Sequence, residues 1–183
     1  MSKKNNNSKL LFFIFFICLT IASLNILGLK NKTISKKSSL NSIDKILSKE
    51  LSDEISTLLT KKDSNNLYTL YKNSNNHYGL ASFKRNNVLY NRYEFNKHLL
   101  NDNNKKFNSL VVNDDSSSKV VFFADFSRTT ASSIKLSFND ISEEISINKK
   151  EPIIKIIDFP VNNSKNLTIE IFDEFKNEIS NAL

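Results

Sequence analysis

Tryptophan is absent from this 183-residue chain, cysteine and methionine occur once each, and glycine and proline only twice each. A single cysteine rules out a disulfide within the chain and any multi-cysteine zinc site. Two glycines are too few for a glycine-cradled phosphate site, and two prolines exclude collagen-like and proline-rich architectures. Histidine, the commonest base of hydrolytic triads, occurs only at His77 and His98. What is plentiful is asparagine, serine, isoleucine and lysine, with lysine outnumbering arginine 23 to 3. AT-rich codons produce this bias. The asparagine runs and the sequons at Asn31, Asn162 and Asn166 therefore need no functional explanation.

The formal net charge is +7, which by itself would suggest nucleic acid. Its distribution says otherwise. Lys3, Lys4, Lys9, Lys30, Lys32, Lys36 and Lys37 fall in the first 37 residues, where no acid occurs, so that stretch alone carries +7. The remainder holds 19 basic and 19 acidic residues and is neutral. The positive charge flanks one segment and lines no groove, so no nucleic-acid partner is expected.

That segment is Leu10 to Leu29, twenty residues without a charge. As a helix it rises about 30 Å, the hydrocarbon thickness of a bilayer. Lys9 and Lys30 bracket it and are able to snorkel to the head groups. We expect an uncleaved single-pass anchor in the plasma membrane, with the lipid bilayer as a partner. The alternative is a signal peptide: Thr20-Ile21-Ala22 before Ser23 offers small residues where a signal peptidase reads, and cleavage would release a secreted effector or inhibitor. Ile17 stands before Cys18 where a lipoprotein signal wants a small residue, so Cys18 reads as a packed thiol. Three lysines precede the segment and four follow it, nearly a tie by the positive-inside rule. A first hydrophobic segment with a short basic head usually acts as an export signal, which places the bulk of the chain outside.

The spacing divides the chain into a basic cytoplasmic head (1–9), the membrane segment (10–29), a linker (30–41), a helix-plus-hairpin region (42–107) and a β-sandwich-like region (108–183). Ile43, Ile46, Leu47, Leu51, Ile55, Leu58 and Leu59 step by three and four, predicting one amphipathic helix over Ser42 to Lys61. Its apolar stripe is short for a coiled coil and suits packing on its own domain. Leu67 to Tyr71 fits a helical turn or a strand. Tyr78 to Lys84 and Val88 to Phe95 read as strands joined by Arg85-Asn86-Asn87. Further strands are expected at Ser109 to Val112, Val120 to Phe126, Ile134 to Phe138, Glu144 to Ile147, Ile153 to Ile157 and Leu167 to Phe172. The fold class is α+β: an N-terminal transmembrane helix, one amphipathic helix, then a mainly antiparallel β domain, an immunoglobulin-like sandwich.

The order of membrane segment, helix, hairpin around HYGLASF and NNVLYNRYEF, and strands ending in LTIEIFDEFKNEIS resembles small membrane-anchored extracytoplasmic proteins of AT-rich Gram-positive bacteria. The ending is similar to the last strand of bacterial immunoglobulin-like modules. It departs from them in having Phe175-Lys176-Asn177 where a glycine is usual in the last turn. The resemblance implies an envelope location and carries over no catalytic residue.

No catalytic constellation, metal site or cofactor site is legible, so no enzyme and no cofactor are expected. The acid pairs Asp114-Asp115, Glu143-Glu144 and Asp173-Glu174 are neighbours that point to opposite faces of a strand, which suits solvated acids. One cluster stands out. All five tyrosines, Tyr68, Tyr71, Tyr78, Tyr90 and Tyr93, lie within 26 residues, with Arg85 and Arg92 among them. Tyrosine and arginine are enriched at binding surfaces because each combines area with a polar tip. Tyr78, Tyr90, Arg92 and Tyr93 are the candidate binding residues, for an envelope protein or glycan. The competing explanation is that tyrosine is a good strand former covering a half-exposed sheet. The expected function is a membrane-anchored binding or assembly protein of the cell envelope. An accessory subunit of a membrane complex is a further alternative, in which Thr20, Ser23 and Asn25 bond a partner helix.

Overall fold

A computed structural model describes residues 5–35, 37–89, 91–101, 107–114, 117–127, 130–138, 141–147, 151–159 and 167–179. The first element, α1 (Asn5–Lys32), is apolar all round. Within it Leu11–Lys30 is long and apolar enough to cross a membrane, and none of it is buried by the rest of the protein. Phe12 is 73% exposed and Leu24 68%. Such side chains are stable only against lipid or another apolar surface.

The chain then enters the body without a polar spacer. Strand β1 (Thr33–Ser35) follows α1 directly and pairs with β5 (Arg92–Leu100), Ile34 standing opposite Tyr93. Ile34 is 1% exposed. The lysine- and serine-rich composition of 30–41 predicts a linker. One buried isoleucine, held in a strand pair, instead makes its first half part of the fold.

Helix α2 (Leu40–Leu51) is shorter than the periodicity predicts. Its N-cap is Ser39, three residues before the expected start at Ser42. It stops where Ser52 adopts the left-handed conformation (φ 53°) and its N–H bonds the Ser48 carbonyl. The Ser48 hydroxyl then accepts the Ile55 N–H at 3.1 Å. That side-chain bond, with the left-handed Ser52, competes with continued helix. Ile55, Leu58 and Leu59 therefore leave the helical stripe, and Leu58 and Leu59 enter β2 (Ser56–Asp63). A register shift between Thr57 and Leu59 lets the adjacent Leu58 and Leu59 both pack on one apolar cluster, as a β-bulge allows. Asp44 of α2 accepts the Thr57 N–H at 2.7 Å, tying helix to strand.

Strands β3 (Asn66–Lys72) and β4 (Tyr78–Arg85) complete a five-stranded antiparallel sheet in the order β1-β5-β4-β3-β2. The ambiguous segment at Leu67 to Tyr71 is thus a strand. The predicted hairpin of β4 and β5 forms, but β5 begins at Arg92, four residues later than expected. Asn86 explains the delay. Its side-chain oxygen accepts the N–H groups of Val88 (2.9 Å) and Leu89 (2.6 Å), bending those residues into a turn.

The six strands expected in the last third all form: β6 (Phe107–Asp114), β7 (Ser117–Asp125), β8 (Ala131–Phe138), β9 (Ile141–Ser146), β10 (Pro152–Phe159) and β11 (Leu167–Asp173). They make two three-stranded antiparallel sheets, β10-β7-β6 and β11-β8-β9.

The layers follow from side-chain parity. On one face of the five-stranded sheet, Tyr71, Ala81, Phe83 and Tyr93 pack with Ile34, Ile55 and α2's Ile43 and Leu47. On the other, Tyr68, Leu70, Tyr78 and Leu80 meet Val121, Phe123 and Ile154. The opposite parity of β7, Val120, Phe122 and Ala124, packs on Ile134, Leu136, Ile145 and Ile171 of the third sheet. The stack is α2, first sheet, second sheet, third sheet. The second sheet is covered on both faces, which is why the run from Val120 to Ala124 is apolar throughout. The third sheet has an outer face in water. There Lys135 lies 3.3 Å from Glu170, between the inward-facing Ile134 and Leu136.

Candidate functional site

The predicted tyrosine–arginine surface is not assembled by the fold. Tyr78 is 7% exposed and sits between the first and second sheets, where its hydroxyl donates to Asp125 Oδ2 at 2.5 Å. Tyr93 is 3% exposed and faces the opposite side of the sheet, under α2. Tyr68 and Tyr71 are buried as well. Tyr90 lies outside the described residues. The sequence clusters tyrosines because they fill two cores on opposite faces of one sheet. Tyr78 and Tyr93 are interior strand residues, so they neither share an exposed face nor cover a half-exposed one.

Arg92 does converge on something, at the end of the apolar helix α1. Its Nε donates to Thr33 Oγ1 at 2.6 Å, and its Nη2 to the Lys30 carbonyl at 2.7 Å and the Thr33 carbonyl at 2.6 Å. Thr33 Oγ1 in turn donates to the Leu29 carbonyl at 2.8 Å. The last carbonyls of a helix lack intrahelical partners and carry the negative end of its dipole. A planar guanidinium supplies several donors in a fixed fork and is suited to hold them. Arg92 is thus a positioning residue that fastens the folded body to α1. Sequence reasoning found Arg92 but not its partners. The signal available was the threonine three residues past Lys30, since a hydroxyl there back-bonds a helix end.

Polar ties hold the first sheet to the second. Burial works against the Asp125 carboxylate, but the hydroxyls of Ser127 and Tyr78, the Ser127 N–H and the charge of Lys72 outweigh it and hold its pKa below the ordinary value. Lys119 lies 2.7 Å from Asp63 and 3.3 Å from Asp158, and its bond to Asp63 raises its pKa in spite of burial. Beside that ion pair, Lys61 Nζ donates to the Ile154 carbonyl at 3.1 Å across the edges of β2 and β10. An open cleft of about 470 Å³ lies there, lined by Leu58 to Lys61 and Glu151 to Ile154.

The histidines are apart in role. His98 Nδ1 is 3.1 Å from the Tyr71 hydroxyl. His77 closes a turn, its N–H donating to Asn73 Oδ1 at 2.9 Å. Neither lines the cleft. Glu143 and Glu144 point to opposite faces, towards Lys155 and Lys176 respectively. Asp173 organises the last turn by accepting the N–H groups of Phe175 (2.9 Å) and Asn177 (2.8 Å). Lys176 takes the left-handed conformation there (φ 64°), the place where glycine is usual. Among the described residues, no group of three His, Cys, Asp or Glu side chains is placed to share a metal ion. Comparison with protein families, with curated proteins and with solved structures found no match.

Proposed function

We propose that the chain is a single-pass membrane protein whose body lies outside the cell and serves in binding or assembly within the envelope, without catalysing a reaction. The observation that supports this most is the join at Arg92. It fuses an exposed apolar helix of bilayer length directly to a three-sheet body. A body fastened in this way is suited to present a surface at a fixed height and heading above the bilayer.

We read β6 to β11 as an immunoglobulin-like sandwich. In support, β6, β7 and β10 occupy the positions of strands A, B and E in one sheet, and β9, β8 and β11 those of C′, C and F in the other. Strand G would follow β11, where Glu178 forms an isolated bridge with Phe172.

The test is protease protection of intact cells carrying an epitope tag after Leu183. The proposal expects external protease to remove the tag while the amino-terminal end stays membrane-bound. A protected tag would overturn the sidedness. A mature amino terminus at Ser23 would replace the anchored reading by secretion.

A further inference from the structure

We infer that Lys32, Lys45 and Lys49 form a binding site for the head group of an anionic glycerophospholipid. Lys32 is the last residue of α1, and Lys45 and Lys49 are one turn apart on the exposed side of α2. The fold brings the three around one pocket of about 290 Å³, whose remaining walls are Ile46 and Glu50. Three positive charges and one negative charge meet there. Like charges four residues apart on a helix repel each other, and none of the three lysines has an ion-pair partner among the described residues. An anion in the pocket relieves that repulsion.

The location selects the anion. The membrane-length stretch ends at Lys30, and two more helical residues add about 3 Å. The head-group layer on each side of a bilayer is roughly 5–7 Å thick. Lys32 therefore stands among the lipid phosphates, and the contact of Arg92 with the Lys30 carbonyl holds the body against that level. Ile46 gives the pocket an apolar wall on which glycerol carbons can rest. Each lysine near an anionic surface contributes about fivefold to the attraction.

The inference rests on the anchored reading, and its test is chosen to fail separately from it. Full-length protein in detergent micelles is titrated with phosphatidylglycerol or with phosphatidylcholine of the same acyl chains, and bound lipid is counted by native mass spectrometry. The wild type should retain phosphatidylglycerol in preference to phosphatidylcholine. K45Q/K49Q should lower phosphatidylglycerol retention by an order of magnitude and leave phosphatidylcholine unchanged. K45R/K49R should keep the preference, which separates charge from damage to the helix. K84Q/K97Q, a control pair on exposed strand positions, should change nothing. Unaltered retention in K45Q/K49Q, or an equal loss in the control pair, would overturn the site. Displacement of the lipid by inorganic phosphate at matched concentration would overturn the lipid assignment. Micelles have no sidedness, so this result is independent of tag protection in cells.

Discussion

Tyr78 of β4 donates a hydrogen bond to Asp125 at the end of β7, joining the first sheet to the second beside a mainly apolar contact. Tyr78→Phe removes one charge-assisted bond from a buried carboxylate that keeps its Ser127 partners. We expect a loss of about 1–3 kcal/mol in urea unfolding. The pH dependence should change too. The folded pKa of Asp125 is depressed below 3.8, so its contribution is present above the unfolded value and is lost as pH falls through the folded one. Wild type should therefore lose stability as pH drops below 3.8, and Tyr78→Phe should flatten that fall. An unchanged acid limb in the variant would contradict the assignment.

Arg92 predicts a protease phenotype. Arg92→Ala frees the carbonyls of Lys30 and Thr33 and the Thr33 hydroxyl, at a cost of about 2–3 kcal/mol. Limited trypsin digestion of full-length protein in micelles should then cut after Lys30 and Lys32, where wild type resists. Arg92→Lys keeps the charge but loses the fork, so it should restore resistance only in part.

Gly79 is a steric test. A Cβ built there would lie 2.4 Å from Cζ of Tyr71, in the ring of a side chain that is 1% exposed. Gly79→Ala should destabilise by about 1–3 kcal/mol through overpacking. Combined with Tyr71→Leu, the two changes should be markedly non-additive, because the second removes the atoms the first collides with. Additive urea midpoints would show that the collision is relieved elsewhere.

Burial, aided by the negative charge of Asp53, pushes the Tyr71 phenol up to about 12. A raised folded pKa means its contribution to stability is complete below the unfolded value near 10 and is lost as pH rises through the folded one. Stability should decline between those limits, and the Tyr71 phenol should ionise late in an ultraviolet titration. Tyr71→Phe should remove both effects.

The β-rich half was readable because its alternation is clean. Ile134, Leu136, Ile169 and Ile171 face one core, and polar neighbours face water, so the period of two survives in the sequence. The apolar run at Val120 to Phe123 was also readable as part of a strand, but not why it is apolar throughout. Its two faces serve two different cores, a fact fixed by sheets distant in sequence. The helix was over-extended for a related reason. Ile55, Leu58 and Leu59 have helical spacing only if residues 52 to 54 continue the helix, and the left-handed Ser52 and the Ile55 N–H bond to the Ser48 hydroxyl prevent that. The candidate site suffered most. Tyrosine marks either a binding face or a crowded sheet interior, and chain position alone does not say which side of a strand meets another layer. Arg92 became interpretable only once β1 was seen paired beside it.

The absence of slack between α1 and β1 has a mechanical consequence. A globule on a floppy stalk would tumble freely over the lipid, whatever its anchor did. Here helix and body are bolted at Arg92, so any roll or tilt of α1 carries the stacked sheets with it. A load applied to the body is likewise passed to the apolar helix, without a separate transmission element.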